Sequence, residues 1–274
     1  MANKMKETAD STKQPHRKFI GDWIYPTTAI IGLFVLWDFA VRIFAIRSFV
    51  LPSPAEVFIS LIRDWGELGP NMLFTLYEIL AGFALSVVFG TGFAVAIISW
   101  RPFEKAIYPL LVGSQMIPKV AIAPLFVIWF GFGIETKILV AFLIAFFPMV
   151  ISTVIGLRSI EVEKLYLARS MGASGLQTFF KIKLPNAMPS IFGGLKLSIT
   201  AAVIGAIVGE FIGADKGIGR VLLIANGELE TDLLFAGIIL LSVTGVILFL
   251  IIDGLERWTI RWHVSQRVKF EPAG

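Results

Sequence analysis

The chain has 274 residues, 56% hydrophobic and 16% charged, with a mean hydropathy of +0.81. So apolar a composition excludes a soluble domain, and apolar runs of helix length exclude an alternating outer-membrane barrel. The absence of cysteine excludes disulfides and thiolate chemistry, the two histidines, His16 and His263, fall in the terminal tails and leave no histidine-based metal or catalytic centre, and the net charge of +4 is spread as membrane topology rather than as a nucleic-acid surface.

Residues 1–22 form a polar, basic tail read as cytoplasmic. No small-residue cleavage site follows the first apolar run, so that run is expected to be an uncleaved anchor. Trp23 and Tyr25 mark an interface. The first span is predicted over 27–46, with Asp38 and Arg42 paired at i,i+4. A separate short helix follows. Ser53 caps it, Pro54 occupies its first position, and Glu56 completes a capping box. Val57, Phe58, Leu61, Ile62 and Trp65 share one face. The helix is too short to span and is expected to lie in the interface.

The second span is predicted over 72–99, where Gly82, Ser86, Gly90 and Ala94 make a small-residue stripe for close packing. A basic turn from Trp100 to Lys105 leads to a third span over 106–130. Its prolines, Pro109, Pro118 and Pro124, free backbone carbonyls, which a bilayer tolerates only against protein or a water-filled cavity. Gly131 to Lys137 reads as a turn and 138–156 as the fourth span, with Pro148 inside. The fifth span is predicted over 187–212. Gly194, Ser198, Ala202 and Ala206 recur every four residues, and Glu210 continues the series after the stripe has drifted round the helix. A polar loop, Gly213 to Asp232, holds a short helix near Ile218 to Ala225. The sixth span covers 233–252. A basic tail over 257–274 closes the chain, read as cytoplasmic like the first.

The predicted architecture is therefore an all-α, polytopic membrane protein with six transmembrane helices. A permease domain over 23–256 lies between the two tails. Six spans place both ends on one side. That side gathers most of the lysine and arginine: the tails, the Arg101/Lys105 turn, and Arg158, Lys164, Arg169, Lys181 and Lys183. The positive-inside rule makes it the cytoplasm.

Neither a G-x-x-x-x-G-K-[ST] loop nor a G-x-G-x-x-G turn occurs, and no catalytic constellation is present. The Gly131–Gly133 and Gly217–Gly219 pairs read as turn glycines. Three ionisable residues fall in or near span ends: Glu78, Lys119 and Glu210. Such residues usually face a cavity or a partner. Lys119, with Gln115, is expected to line a translocation path, neutralised by Glu78 or Glu210. The competing readings are a structural ion pair for the lysine and snorkelling for the acids.

The organising feature is the polar island from Arg158 to Pro185. It reads as two helices joined at a glycine. The first starts near Ser159 as cap, with Glu161 and Glu163 in its opening turns, and ends at Gly172. The second starts at Ser174, where Gln177 completes a capping box, and is expected to stop near Leu184, before Pro185. A plain linker needs neither paired caps nor apolar residues such as Leu165, Met171, Leu176, Phe179 and Phe180.

From Tyr166 to Pro185 the island resembles the EAA loop of importer-type ABC transporter permeases: E-A-A, three residues, glycine, nine residues, then I-x-L-P. Gly172 is followed by nine residues and then Ile182, Lys183, Leu184 and Pro185. The triplet falls on Tyr166, Leu167 and Ala168, so only its last letter is kept. Phe49–Pro54, Ile117–Pro124, Trp129–Gly133 and Val208–Ala214 are similar to the branch importing nitrate, sulfonates and taurine, which also includes permeases for pyrimidine precursors and riboflavin-like compounds.

The resemblance implies a type I ABC importer permease fold in the cell inner membrane, and a chain that is not itself an enzyme. It implies a second permease copy as a homodimer, two copies of an ATP-binding subunit carrying ATP and magnesium, and an extracytoplasmic substrate-binding protein. No cofactor on this chain and no nucleic-acid partner are expected. ATPase coupling would fall on Glu163, Tyr166, Leu167, Ala168, Met171, Gly172, Ala173, Ser174, Ile182, Leu184 and Pro185. The substrate-binding protein would dock near Ser53, Glu56, Asp215 and Lys216. The expected cargo is a small anion or zwitterion such as nitrate, a sulfonate or taurine, with a pyrimidine or riboflavin-like heteroaromatic as alternative. A stand-alone secondary transporter or channel is the reading from another class. It leaves the two-helix island unexplained.

Overall fold

The computed structural model describes residues 18–260, and among these every regular element is a helix. Residues 1–17 and 261–274, which hold both histidines and Arg261, Arg267 and Lys269, lie outside the described residues. The helices are α1 (Lys18–Ile43), α2 (Pro54–Arg63), α3 (Trp65–Ser99), α4 (Arg101–Ser114), α5 (Lys119–Phe130) and α6 (Ile134–Arg158). They continue with α7 (Val162–Ser170), α8 (Gly175–Thr178), α9 (Leu184–Gly213), α10 (Ile218–Glu228) and α11 (Thr231–Thr259). Four of them, α3, α6, the α8–α9 stretch and α11, are long and apolar enough to cross a membrane, or five spans if the α4–α5 pair counts as one.

The central helix is α6, held between α3 and α9. Lipid gives packed helices no hydrophobic reward, so close van der Waals contact must hold them, and small residues permit it. The two predicted stripes do this. A Cβ added to Gly82 would lie 2.6 Å from the Ala141 Cβ, and one added to Gly194 would lie 2.6 Å from the Ser152 Cβ. Ser86, Ala94, Ser198, Ala202 and Ala206 are fully buried. Further along α9, Gly205 takes over the contact, where an added Cβ would come within 2.6 Å of the Ala141 Cα. The drift of the α9 stripe leaves Glu210 turned from α6 toward α3 and α10. Large apolar side chains left exposed, such as Val246, Leu250 and Ile251 of α11, suit a lipid surround.

Apart from helix ends that extend past the expected spans, as at Lys18, Trp65 and Thr259, the structure differs from the sequence expectation at five places. The third span is broken. Its two halves, α4 and α5, are bent by 98°, because Pro118 lacks an N–H and turns Ile117 out of helical geometry. The basic turn from Trp100 to Lys105 is already helix, with Trp100 at the cap. Lys137 is not in a turn. The turn ends at Gly133, where Thr136 donates back to the Gly131 carbonyl at 2.6 Å, and α6 starts at Ile134. Ser159 ends α6 rather than starting α7, whose cap is Glu161. Finally, Pro185 does not stop its helix. A π-helical turn over Phe179–Lys183 widens the backbone, the Leu184 N–H reaches Phe179 O, and α9 runs on. The proline ring then sits in the first turn of α9, where a missing N–H is tolerated.

The Ser53 capping box forms as predicted, with the Ser53 N–H donating to Glu56 at 2.7 Å and the Glu56 N–H to Ser53 Oγ at 3.3 Å. The apolar face of α2 is divided. Val57 and Leu61 pack into a cluster with Leu68, Ile218 and Leu233, whereas Phe58, Ile62 and Trp65 stay exposed. Arg63 bridges to Asp232 at 3.1 Å and so ties α2 to α11. The same guanidinium hydrogen-bonds Asp64 and holds that carboxyl below the usual carboxylate range.

Candidate functional site

Two regions concentrate chemistry. The first lies at the α10 end of the bundle and starts from one face of α3, where Asn71, Thr75 and Glu78 stand at successive turns and continue into Gly82. Across from them Glu210 of α9 is fully buried, as is Thr75. The Thr75 hydroxyl donates to Glu210 Oε1 at 2.6 Å and accepts from the Ile218 N–H at 2.9 Å. Asn71 Oδ1 accepts from the Gly217 N–H at 2.8 Å, and Glu210 Oε2 accepts from the Gly219 N–H. Three opening amides of α10, those of Gly217, Ile218 and Gly219, are thus satisfied by side chains from α3 and α9. This is helix capping across the tertiary structure rather than along the chain.

Glycine is required here. Gly217 has φ +113°, and a Cβ on it would collide with the Glu210 carboxyl. The Gly217–Gly219 pair is therefore a cradle for a carboxylate as well as a turn. Glu78, 3% exposed, faces Glu210 side chain to side chain, and its buried Oε2 meets no donor. Lys137, 4% exposed, lines the same cavity as Glu78 and donates to Phe132 O, without a direct ion pair to either acid. The amino-terminal dipole of α10 faces the Glu210 carboxyl. The cavity, of ≈ 200 Å³, is also lined by Phe74, Phe132, Asp215 and Lys216.

The second region is the 158–185 loop at the opposite ends of α6 and α9. α7 closes in a complete Schellman motif. The Gly172 N–H donates to Arg169 O at 3.0 Å, the Ala173 N–H donates to Ala168 O at 3.0 Å, and Gly172 has φ +77°. The Ser174–Gln177 capping box forms as predicted. Ala168 is buried, while Tyr166, Leu167, Met171 and Leu176 are all more than 60% exposed. The stems are pinned. Asn186 donates to Ser159 at 3.1 Å, and Arg158 donates to Glu104 of α4 at 2.7 Å.

The expected coupling residues divide accordingly. Glu163, Tyr166, Leu167, Met171, Gly172 and Ser174 are exposed, with Ala173 half-buried beside them. Ile182, Leu184 and Pro185 belong to the half-buried stem that leads into α9. The expected path residues do not assemble. Lys119 opens α5 at the break, with its ammonium 4.8 Å from the Phe147 ring centroid, and Gln115 is exposed in the break. Neither Glu78 nor Glu210 neutralises Lys119; the lysine beside Glu78 is Lys137, placed there by the early start of α6. Snorkelling also fails for both acids, since they point into the bundle. The docking candidates split as well. Ser53 and Glu56 lie at the α2 cap, and Glu56 lines a recess with Phe49, Leu229 and Asp232. Asp215 and Lys216 line the cavity shared with Glu78 and Lys137, with Lys216 Nζ 4.5 Å from the Phe74 ring centroid.

Sequence reasoning missed Lys137, Asn71 and Thr75. The i, i+4, i+7 spacing of Asn71, Thr75 and Glu78 was the available signal, a polar stripe feeding into a small-residue stripe on the same helix.

Comparison with known proteins agrees with this architecture. Residues 86–261 match the family described as binding-protein-dependent transport system inner membrane component. The chain is 35% identical to the formylaminopyrimidine transport permease protein of Halalkalibacterium halodurans, over 88% of this chain and 96% of that one. It is 37% identical to the riboflavin transport system permease protein of Chloroflexus aurantiacus, over 88% and 90% respectively. It is 31% identical to a putative aliphatic sulfonates transport permease protein of Bacillus subtilis, over 92% of each. A helical membrane bundle, a family match over most of the chain and near full-length relatives lead to one conclusion: the chain is a permease component of an ABC importer and belongs to the family of binding-protein-dependent transport system inner membrane components.

Proposed function

We propose that two copies of this chain form the translocation pathway of an ATP-driven importer, and that the 158–185 loop seats on a separate ATP-binding subunit. The observation that carries this reading is the loop itself. It is rigidified by a Schellman motif and a capping box, pinned at its stems, and still presents Tyr166, Leu167, Met171 and Leu176 to the outside. An ordered polar loop with an apolar tip fits a groove on a partner better than it fits water. In this reading α1, α3, the broken α4–α5 pair, α6, α9 and α11 are the six spans. Both termini and the loop are cytoplasmic, and a substrate-binding protein docks at the α10 end, over Ser53, Glu56, Asp215 and Lys216. Glu78 and Lys137 form the polar lining on the path from that end, with Glu210 behind them holding α10, and Lys119 and Gln115 mark the break midway.

The cargo is a small heteroaromatic solute, supported by the 35% and 37% identity to the formylaminopyrimidine and riboflavin permeases. A small sulfonate is the second reading, supported by the sulfonate permease at 31% and by the lysine at the α5 break, which faces an aromatic ring rather than an acid. Gly172→Val tests the coupling role, because a β-branched residue resists φ > 0. The variant should still insert in the membrane and lose either copurification with the ATP-binding subunit or substrate-stimulated ATP hydrolysis. Wild-type values for both would refute the role.

A further inference from the structure

The loop end of the bundle carries a feature that transport leaves unused. Between the start of α4 and the end of α6 lies an open cleft of ≈ 470 Å³, lined by Arg101, Glu104, Lys105, Tyr108, Pro109 and Arg158. Three cations face one carboxylate there. Arg158 consumes that carboxylate, with NH2 2.5 Å from Glu104 Oε1 and its guanidinium 4.1 Å from the Tyr108 ring centroid. Arg101 and Lys105 are exposed, and among the described residues neither has an ion-pair partner. The amino terminus of α4 has no side-chain cap, so its dipole adds to the same positive field.

The level of the cleft identifies the occupant. Trp100, 63% exposed and stacked on Phe103, stands at its edge, and tryptophan gathers where a bilayer meets water. One turn past Tyr108, on the face that carries Arg101 and Lys105, the exposed side chain is the apolar Val112. A soluble acidic partner would have no use for an apolar strip running from the cations into the bilayer, whereas a lipid has both a charged head and an acyl chain. Basic pockets between spans on the cytoplasmic side are suited to anionic head groups.

We propose that this cleft binds the phosphate of an anionic phospholipid, with Arg101 and Lys105 as its ligands and the Val112 face of α4 along its acyl chain. The inference rests on the cytoplasmic placement of this end in the proposed function, and stands or falls separately from the coupling role of the loop. The test is native mass spectrometry of the full chain after exchange with phosphatidylglycerol or phosphatidylcholine. The wild type should retain phosphatidylglycerol preferentially. The Arg101→Gln/Lys105→Gln double variant should retain it roughly tenfold less, and Arg101→Lys should hold it like the wild type. Lys181→Gln/Lys183→Gln, which removes two cations elsewhere on the same end, should leave retention unchanged. If the double variant does not fold, Lys105→Gln alone should show an intermediate loss. Equal retention of the two lipids would overturn the proposal, as would undiminished retention in the Arg101/Lys105 variants. Displacement of the lipid by inorganic phosphate, with phosphate bound in its place, would overturn it in favour of a soluble-anion site.

Discussion

The α10 end and the loop end solve the same problem in opposite ways. Each contains a helix amino terminus and polar groups that need partners. At the α10 end the partners come from other helices: Asn71, Thr75 and Glu210 cap α10, and Lys137 shares a cavity with Glu78. At the tip of the loop, beyond its pinned stems, the partners are local: Ser174 and Gln177 cap α8, and Gly172 closes α7. A region completed by distant helices cannot move as a unit without breaking them apart. A region completed by its own neighbours can move as a rigid body and keep its shape. The loop tip can therefore keep its shape apart from the bundle, whereas the α10 end is locked to it.

The comparison can be broken most severely at Lys137. Lys137→Ala removes a buried cation beside two buried acids and leaves the Phe132 carbonyl without its donor, and should cost about 3 kcal/mol, read as a large drop in thermal stability in detergent. Glu78→Gln in the same chain should recover much of it. No recovery would mean that the lysine does not serve these acids. Next in size is Gly82→Leu, where even the Cβ meets Ala141 at 2.6 Å. Overpacking there should cost about 1–3 kcal/mol or more, and an unchanged melting temperature would show that the α3–α6 contact is looser than described. The smallest stability effect belongs to the loop. Leu167→Asp removes nothing from the core, so its thermal shift should correspond to about 0.5 kcal/mol or less. It should nevertheless abolish copurification with an ATP-binding subunit. A strongly destabilised Leu167→Asp chain would mean that the loop is part of the bundle after all.

Where each region's contacts come from also explains what could be read in advance. The Ser174–Gln177 box, the Gly172 closure, the Ser53–Glu56 box and the small-residue stripes are interactions of residues three or four apart, and those are written in spacing. The break at Pro118 was half legible. Proline announces irregularity, but the 98° angle depends on what the two halves pack against. Pro185 misled for the same reason, because a π-helical turn accommodated it within a continuous helix. Lys137 was hidden by its neighbours: Glu135, Thr136 and Lys137 look like a polar loop until Gly133 proves to be the helix cap.

By itself, then, the chain's order of residues determined that it is a helical membrane protein, where its main spans run, which faces pack, and that a rigid two-helix loop interrupts them. These follow from transfer free energy and from short-range hydrogen bonding, which depend on neighbours in the chain. Only the tertiary structure decided that Glu78 shares a cavity with Lys137 rather than with Lys119. It also decided that the Gly217–Gly219 turn is a carboxylate cradle, and that Arg158 turns to Glu104. The Gly219–Glu210 contact spans 9 positions in sequence and the Arg158–Glu104 contact 54. Their partners are selected by which helices lie side by side in a medium that supplies no water to replace them.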